Sequence, residues 1–203
     1  ILDGSNPRQM LLSSCNLAGS YRLSLPSGLH VTGSAVSLTL KDTVVTENFN
    51  GGIFFDVHQG LLSLMRCSII RNYQEHGNGG GVRVLSGSVN LHDTRFEGNQ
   101  ASLSGGGLSF EASSYDISIR NCTFYQNIAT SDGAGMYVSG TSINLVVVSS
   151  LLQFNRAQGS AIGGAAFISV TTALFSDTRI LGNSANLAGG GMALEQASGL
   201  VHF

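Results

Sequence analysis

The stretch "FEGNQASLSGGGLSF", residues 96–110, decides the fold of this 203-residue chain, because its pattern returns along the sequence. It places a phenylalanine three residues before an asparagine, then a run of glycines, then two apolar residues with one residue between them. Glycine runs mark either tight backbone corners or loops that hold phosphate groups. The way the stretch repeats distinguishes these two interpretations.

Six asparagines anchor the repeat and are separated by 24, 27, 28, 28 and 28 residues. An apolar residue stands three positions before each anchor, a small residue five before, and mainly apolar residues eight and ten before. A glycine-rich run and an alternating apolar pair follow each anchor. A fixed period of about 20–50 residues indicates stacked supersecondary units. The anchors are Asn48, Asn72, Asn99, Asn127, Asn155 and Asn183.

Each repeat carries three short apolar segments, and within each segment every second residue is apolar, which indicates a β-strand. Three short strands with tight corners fill a period of 24–28 residues. The sequence therefore predicts an all-β parallel β-helix, a solenoid of about seven coils that stack at the strand spacing of roughly 4.8 Å. A leucine-rich repeat has a similar period, but its L-x-x-L-x-L pattern and helical segment are missing.

The columns of the repeat suggest structural roles. We expect each anchor asparagine to turn a corner, since asparagine tolerates the left-handed conformation, and the stacked amides to form a ladder. The glycines make a second corner where side chains of neighbouring coils would collide. Small residues two positions after four anchors look like spacers in that corner; they are Ala101, Ala129, Ala157 and Ala185.

Two regions follow from the match to the repeat. Residues 1–35 fit it poorly and are predicted to be an irregular first coil or an N-terminal cap, and residues 36–203 are predicted to be the β-helix repeats. Val201 and Phe203 fit the start of a further coil. We therefore expect the chain to stop within a coil and to be a fragment of a larger protein.

The pairing of F-x-x-N with G-G-A/G-[ILV] once per coil resembles the repeats of chlamydial polymorphic membrane proteins. "FEGN" (96–99) with "GGGL" (105–108) and "FYQN" (124–127) with "GAGM" (133–136) carry the resemblance, which covers roughly residues 36–203. It implies a right-handed, pectin-lyase-like β-helix, and it implies adhesin or autotransporter passenger roles for the protein.

Composition and titratable residues argue against several other functions. Charged residues are only 11% and the formal net charge is −2, so no basic patch predicts nucleic-acid binding. No apolar run is long enough for a membrane span, and no phosphate-loop lysine follows the glycines. The five histidines fall in different columns, so we expect no metal and no cofactor; they are His30, His58, His76, His92 and His202.

Catalysis is not expected either. β-Helix lyases and hydrolases need clustered carboxylates, whereas no two of the 12 acids here are adjacent or one residue apart. Asp42, Asp93 and Asp177 share a column in different coils and are interpreted as turn formers, with Arg66 breaking that column. Cys67 and Cys122 also share a column, but two coils separate them by roughly 9–10 Å, so they are predicted to be free buried thiols.

Outward positions of a free solenoid should be polar, and one flank departs from this rule. A contiguous apolar outer patch usually marks an interface, here with another chain or a missing part of the same chain, unless a loop of the domain covers it. The predicted interface residues are Val146, Val148, Leu151, Phe154, Phe54, Tyr137, Phe167 and Leu174. Asn121-Cys122-Thr123 is the only glycosylation sequon, and Asn121 is predicted at an accessible outer turn.

These observations favour a non-enzymatic structural or adhesive segment of a large extracellular or cell-surface protein, which acts as a rigid scaffold for protein–protein contacts. Carbohydrate is a further ligand class without direct support, since the chain has no tryptophan for sugar stacking. Two alternatives stay open. One is a carbohydrate-active β-helix enzyme whose catalytic acids lie outside this segment; the other is a scaffold piece of a large ciliary or filamentous assembly.

Overall fold

The computed structural model describes residues 8–19, 27–195 and 201–202. Within these residues all regular secondary structure is β, in short strands joined by tight turns. Strands of one coil pair in parallel with the equivalent strands of the next. The described chain is therefore a parallel β-solenoid of about six turns, close to the predicted seven.

Four strand positions recur along each coil. The post-glycine strands are β3 Leu29–Ser34, β12 Leu108–Phe110, β16 Met136–Ser139, β20 Ala166–Ser169 and β24 Met192–Leu194. The middle strands are β1 Arg8–Ser13, β4 Val36–Lys41, β13 Asp116–Arg120, β17 Asn144–Val148, β21 Thr172–Ser176 and β25 Val201–His202. In two coils these positions fuse into the long strands β6 Ile53–Met65 and β9 Val82–His92.

The remaining two positions flank the anchor asparagine. The pre-anchor strands are β2 Asn16–Ala18, β5 Val44–Thr46, β7 Ser68–Ile70, β10 Arg95–Glu97, β14 Thr123–Tyr125, β18 Leu151–Gln153 and β22 Arg179–Leu181. The post-anchor strands have two residues each and are β8 Tyr73–Gln74, β11 Gln100–Ala101, β15 Ile128–Ala129, β19 Arg156–Ala157 and β23 Ser184–Ala185. The sequence predicts three strands per coil, and the post-anchor strand is the additional one.

The strands form three sheets in the described part of the chain. Post-glycine and middle strands share a 13-stranded sheet, because β6 and β9 connect them, while pre-anchor strands form a 7-stranded sheet and post-anchor strands a 5-stranded one. Residues one period apart face each other in register, as Phe96 and Phe124 do. Like residues therefore stack along the rod axis, and the Phe96 and Phe124 rings lie parallel at 4.6 Å between centroids.

The first coil is more regular than predicted. Residues 8–13 pair with 36–41, and residues 16–18 pair with 44–46, both at a separation of 28 residues. Residues 29–34 also pair in parallel with residues 53–58, at a separation of 24 residues. The described residues of the 1–35 region thus belong to a coil in register with the next, and the strand pairing shows no break at the predicted boundary.

Two columns of left-handed residues turn the chain on either side of the pre-anchor strand. The first has φ between 49° and 52° and comprises Asp42, Arg66, Asp93, Asn121, Ser149 and Asp177. The second has φ between 51° and 62° and comprises Glu47, Arg71, Gly98, Gln126, Phe154 and Gly182. We expected the anchor asparagine to be the left-handed residue of its corner. The structure shows instead that the residue immediately before the anchor is left-handed. Arg66 does not break its column, because it adopts the same turn.

The glycine corner is shaped by contact between coils. A Cβ on Gly107 would lie 2.5 Å from the carbonyl oxygen of Gly135 in the next coil, and a Cβ on Gly81 would meet Gly107 in the same way. Backbone atoms yield little to such a contact, so glycine is favoured in this column where the next coil approaches as closely as it does at Gly81 and Gly107. Ala165 occupies the column near the end of the described rod, and there the backbone N–H groups of Ala165 and Ala166 both donate to Gly191.

Candidate interaction surface

Inside the solenoid the six anchors form a hydrogen-bonded amide ladder. Asn99 donates its backbone N–H and its Nδ2 to Oδ1 of Asn127, both at 3.0 Å, and Asn127 donates likewise to Asn155. The second N–H of each Nδ2 goes to a carbonyl of the preceding coil, for example from Asn127 to Phe96 at 3.0 Å. The described residues contain no buried side-chain polar atom without a partner. The ladder is a structural element that is buried from Asn48 to Asn155 and half-buried at its last rung, Asn183.

The small residues five positions before each anchor form a second internal column. Each donates its hydroxyl or thiol to the carbonyl two residues earlier, as Thr94 does to His92 at 3.0 Å and Cys122 does to Arg120 at 3.2 Å. Cys15 makes the same bond to Ser13 at 3.3 Å, which places it in this column too. Burial raises the pKa of the Cys122 thiol to about 12 and raises the pKa of Cys67 as well. Cys67 and Cys122 are free and buried, and their raised pKa favours the protonated thiol.

The titratable residues remain dispersed in the structure. Arg66 donates two hydrogen bonds to Asp42, at 2.7 and 2.9 Å, and this contact lowers the pKa of the Asp42 carboxyl. Asp93 accepts from Asn121 and lies 2.7 Å from Nδ1 of His92. No group of three or more potential metal ligands forms within the described residues. Asp177 accepts the hydroxyl of Ser176 at 3.2 Å, so the three aspartates of the turn column all serve local contacts at the turn.

The structure divides the predicted apolar patch into separate groups. Phe54 stacks on His30 at 4.5 Å, and in its register column Arg83 and Ser109 separate it from Tyr137. Arg83 and Ser109 are both bonded to Glu111, which makes this intervening surface polar. Phe54 therefore does not join the other predicted interface residues.

Tyr137 and Phe167 form a second, largely covered pair. Their rings stack at 5.0 Å with an angle of 12° between planes. Phe167 is only 7% exposed, so the prediction that it offers an outer contact surface is wrong. The outward side of the post-glycine strands packs against the glycine corner, since a Cβ on Gly133 would lie 2.9 Å from the backbone nitrogen of Phe167.

The remaining predicted residues lie along the outer surface of two successive coils, and we call them, with Leu181, the apolar flank. Val146 and Leu174 face each other in register on β17 and β21. The side chains of Phe154, Leu174 and Leu181 are 49%, 38% and 39% exposed. The flank consists of Val146, Val148, Leu151, Phe154, Leu174 and Leu181, and it is the most extended apolar outer surface among the predicted residues.

An aromatic contact extends the flank toward the preceding coils. The Phe154 ring lies across the bare backbone of Gly182, where a Cβ would come within 2.5 Å of the ring. Tyr125 meets Phe154 edge-on at 6.0 Å, and the Arg95 guanidinium lies 5.6 Å from the centre of the Tyr125 ring. Sequence reasoning missed Tyr125, Arg95 and Leu181. Their positions relative to the anchor could have identified them, since each of the three residues stands one or two residues from a left-handed turn position.

A separate polar contact crosses the surface between post-glycine and middle strands. The Tyr115 hydroxyl is 2.9 Å from Nδ1 of His58 and accepts the backbone N–H of Gln59 at 3.2 Å. This contact spans an irregular part of the β6–β9 pairing, where the register shifts between Phe55 and Leu61. It ties an outer loop to the coils beneath it, and the sequence pattern gave no signal for it.

The geometry and the repeat together define a class of protein, the parallel β-solenoid repeat proteins, with an apolar flank as its candidate contact surface. A family model described as "Right handed beta helix region" matches residues 5–175, and the chain belongs to this family. The match begins before residue 36, in agreement with the regular first coil. No solved structure matches the chain at a significant level.

One characterised relative is similar over much of the chain. It is "Metabotropic glutamate receptor-like protein R" of Dictyostelium discoideum, 29% identical over 147 residues, which are 70% of this chain. The chain spans only 9% of that relative's length. Within the described residues no helix is long and apolar enough to cross a membrane.

Proposed function

We propose that this β-helix is a non-enzymatic scaffold at the cell surface, and that its apolar flank docks another protein chain or another part of its own chain. A rod held by continuous internal ladders keeps its outer side chains at fixed spacing, which suits a surface for protein contacts. Similarity to a receptor-like protein and the resemblance to chlamydial polymorphic membrane proteins support the surface location.

The observation that carries the proposal is the exposure of the flank. In the Val146 column the first coil places Leu11, which is 65% exposed, and the next four coils place the polar residues Thr39, Ser63, Asn90 and Ser118. The column becomes apolar again at Val146 and Leu174, and both positions point outward. Exposed leucine and phenylalanine at neighbouring positions cost free energy in water and favour contact with a partner.

The proposal can be tested on the protein in its own cells. A photo-crosslinking amino acid placed at position 174 should give a discrete crosslinked product on intact cells, since Leu174 lies within the flank. The same group at position 118, in the same outward column, is the matched control and should give none. An antibody against a surface tag on unpermeabilised cells checks the location independently.

Two results would count against the proposal. Equal crosslinking from positions 118 and 174, or none from either, would remove the flank as a docking surface. With the crosslinking group moved to position 181 of the flank, a Leu174→Asp variant should lose the product while far-UV circular dichroism and the melting temperature stay close to those of Ser118→Asp. Loss of the product only in unfolded variants would assign Leu174 a packing role instead.

A further inference from the structure

The structure gives the single sequon of the chain an unusual position. Asn121 is exposed and left-handed, with φ of 52°, in the turn between a middle strand and a pre-anchor strand. The six anchor asparagines, in contrast, point inward and bond within the ladder. We propose that Asn121 carries an N-linked glycan, an inference that rests on the proposed extracellular location.

The three sequon residues are oriented as such a modification requires. Cys122 points into the core and is 1% exposed, so its neighbours on both sides point outward. Thr123 lies on the outer face of β14, in one column with Arg95 and Leu151. Asn121 and Thr123 therefore emerge on the same side of the rod. The glycan can leave the surface at the turn without displacing core side chains.

The side-chain amide of Asn121 can carry a sugar and keep its present contact. It donates one N–H to the Asp93 carboxylate of the preceding coil. An amide nitrogen has two hydrogens, so the other can be replaced by the sugar while this bond persists. The neighbouring turn residue in the next coil is Ser149, whose short side chain leaves room beside Asn121.

The transfer itself needs a donor of one chemical class, an oligosaccharide linked to a lipid pyrophosphate. The amide nitrogen bonds to the anomeric carbon, the bond from that carbon to the pyrophosphate oxygen breaks, and the lipid pyrophosphate leaves with the electron pair. The amide loses one proton, and no oxidant or reductant takes part. The exposed turn at Asn121 accommodates the product in the folded chain.

The glycan would also border the apolar flank. The residues on either side of the Asn121 turn pair with flank residues of the next coil, Arg120 with Val148 and Thr123 with Leu151. A hydrated oligosaccharide rooted one coil away limits how far a docking partner extends toward the earlier coils. Partners would then approach the flank from its Leu174 side.

The test is expression of the chain through a eukaryotic secretory pathway behind a heterologous signal sequence. Treatment of the secreted protein with peptide N-glycosidase in heavy-oxygen water should convert Asn121 to labelled aspartate, read by peptide mass spectrometry. The enzyme should also increase the electrophoretic mobility of the secreted protein. This shift should disappear in Asn121→Gln and in Thr123→Ala and persist in Thr123→Ser. Thr123→Ala separates loss of the sequon from any folding effect at the left-handed position.

A grafted site provides the matched control. Arg66→Asn with Ser68→Thr creates the sequon at the equivalent turn two coils earlier, where Arg66 has φ of 52° and Cys67 points inward. This variant should acquire a second glycan. Secreted, folded protein with an unmodified Asn121 would overturn the proposal and leave the docking function intact. Absence of crosslinking from position 174 despite a glycosylated Asn121 would overturn the docking function and leave the glycan proposal intact.

Discussion

At the scale of single residues, the inward asparagine is the most informative position of the repeat. An amide buried between coils would be costly, yet in the interior rungs the amide oxygen accepts two bonds, as in Asn127, and the amide nitrogen donates two, as in Asn99. The sequence predicts a ladder of stacked amides. It does not show that the left-handed residue precedes the asparagine, because that position holds glutamate, arginine, glycine, glutamine and phenylalanine in turn.

Removing one interior rung should be strongly destabilising. Asn127→Ala would leave the Phe96 carbonyl and the Asn99 backbone N–H buried without partners. At about 1–3 kcal/mol for each orphaned group, we expect a loss of about 4 kcal/mol in the free energy of unfolding. Urea unfolding measures it. Asn183→Ala, at a half-buried rung, is the control and should cost about 1 kcal/mol, since water can enter where this partly exposed side chain is removed and replace its hydrogen bonds. Equal costs would contradict this account of the ladder.

The buried thiol predicts a specific alkaline instability. Because the pKa of Cys122 rises from 9.0 unfolded to about 12 folded, the folded state holds a proton that the unfolded state releases. The stabilisation is complete below pH 9 and is lost as pH rises toward 12, by up to about 1.4 kcal/mol per pH unit. Cys122→Thr introduces the residue type found in the same column at Thr94. Between pH 8.5 and 10.5 the free energy of unfolding of this variant should fall less than that of the unsubstituted protein. Identical pH profiles would refute the thiol contribution.

At the scale of elements, patterns of two residues are at the limit of what a sequence can indicate. The post-anchor strands have two residues each, so no alternation of polar and apolar residues identifies them. The regular register of the first coil was not predicted, for a different reason. Met10, Leu12, Cys15 and Leu17 stand 28 residues before Leu38, Leu40, Thr43 and Val45, but position 20 holds a serine where the anchor would be. A search anchored on asparagine therefore passes over it.

The glycine corner provides a test at this scale. Gly107→Ala would place a Cβ 2.5 Å from a backbone oxygen of the next coil, and we expect it to cost about 3 kcal/mol, as overpacked sites do. Gly191→Ala is the matched control in the same column, because among the described residues its Cβ would contact Ile180 Cγ2 alone, at 3.4 Å. Thermal unfolding compares the two. If both variants melt together, contact between coils is not what selects glycine here.

At the scale of the whole molecule, the apolar flank shows what a repeat can and cannot reveal. Its location on outer positions was predictable, since alternation fixes which side chains point outward. The division of the predicted patch into separate groups was not predictable. The burial of Phe167 and the polar surface around Glu111 depend on contacts between residues far apart in sequence. The predicted interface thus keeps its core around Leu174 and loses Phe54 and Phe167.

Coils that contact only their neighbours should be removable as units. Deleting residues 100–127, one period of 28, joins Asn99 to Ile128 and keeps every column in register. We expect a folded, shorter solenoid with a lower melting temperature, because fewer coil junctions remain. Deleting residues 100–113, half a period, places inward residues at outer positions and should prevent folding. Circular dichroism distinguishes the outcomes, and a collapsed full-period variant would contradict independent stacking.

The direction of the hydrogen bonds between coils also has a mechanical consequence. All of these bonds run along the rod, and the covalent chain crosses each junction only once per coil. Tension applied to the two termini acts on the outermost junction alone and can peel coils away in succession. Compression or bending is resisted by every stacked column together. A β-helix of this kind is suited to holding two objects apart, as a strut does, and poorly suited to carrying a load as a tether.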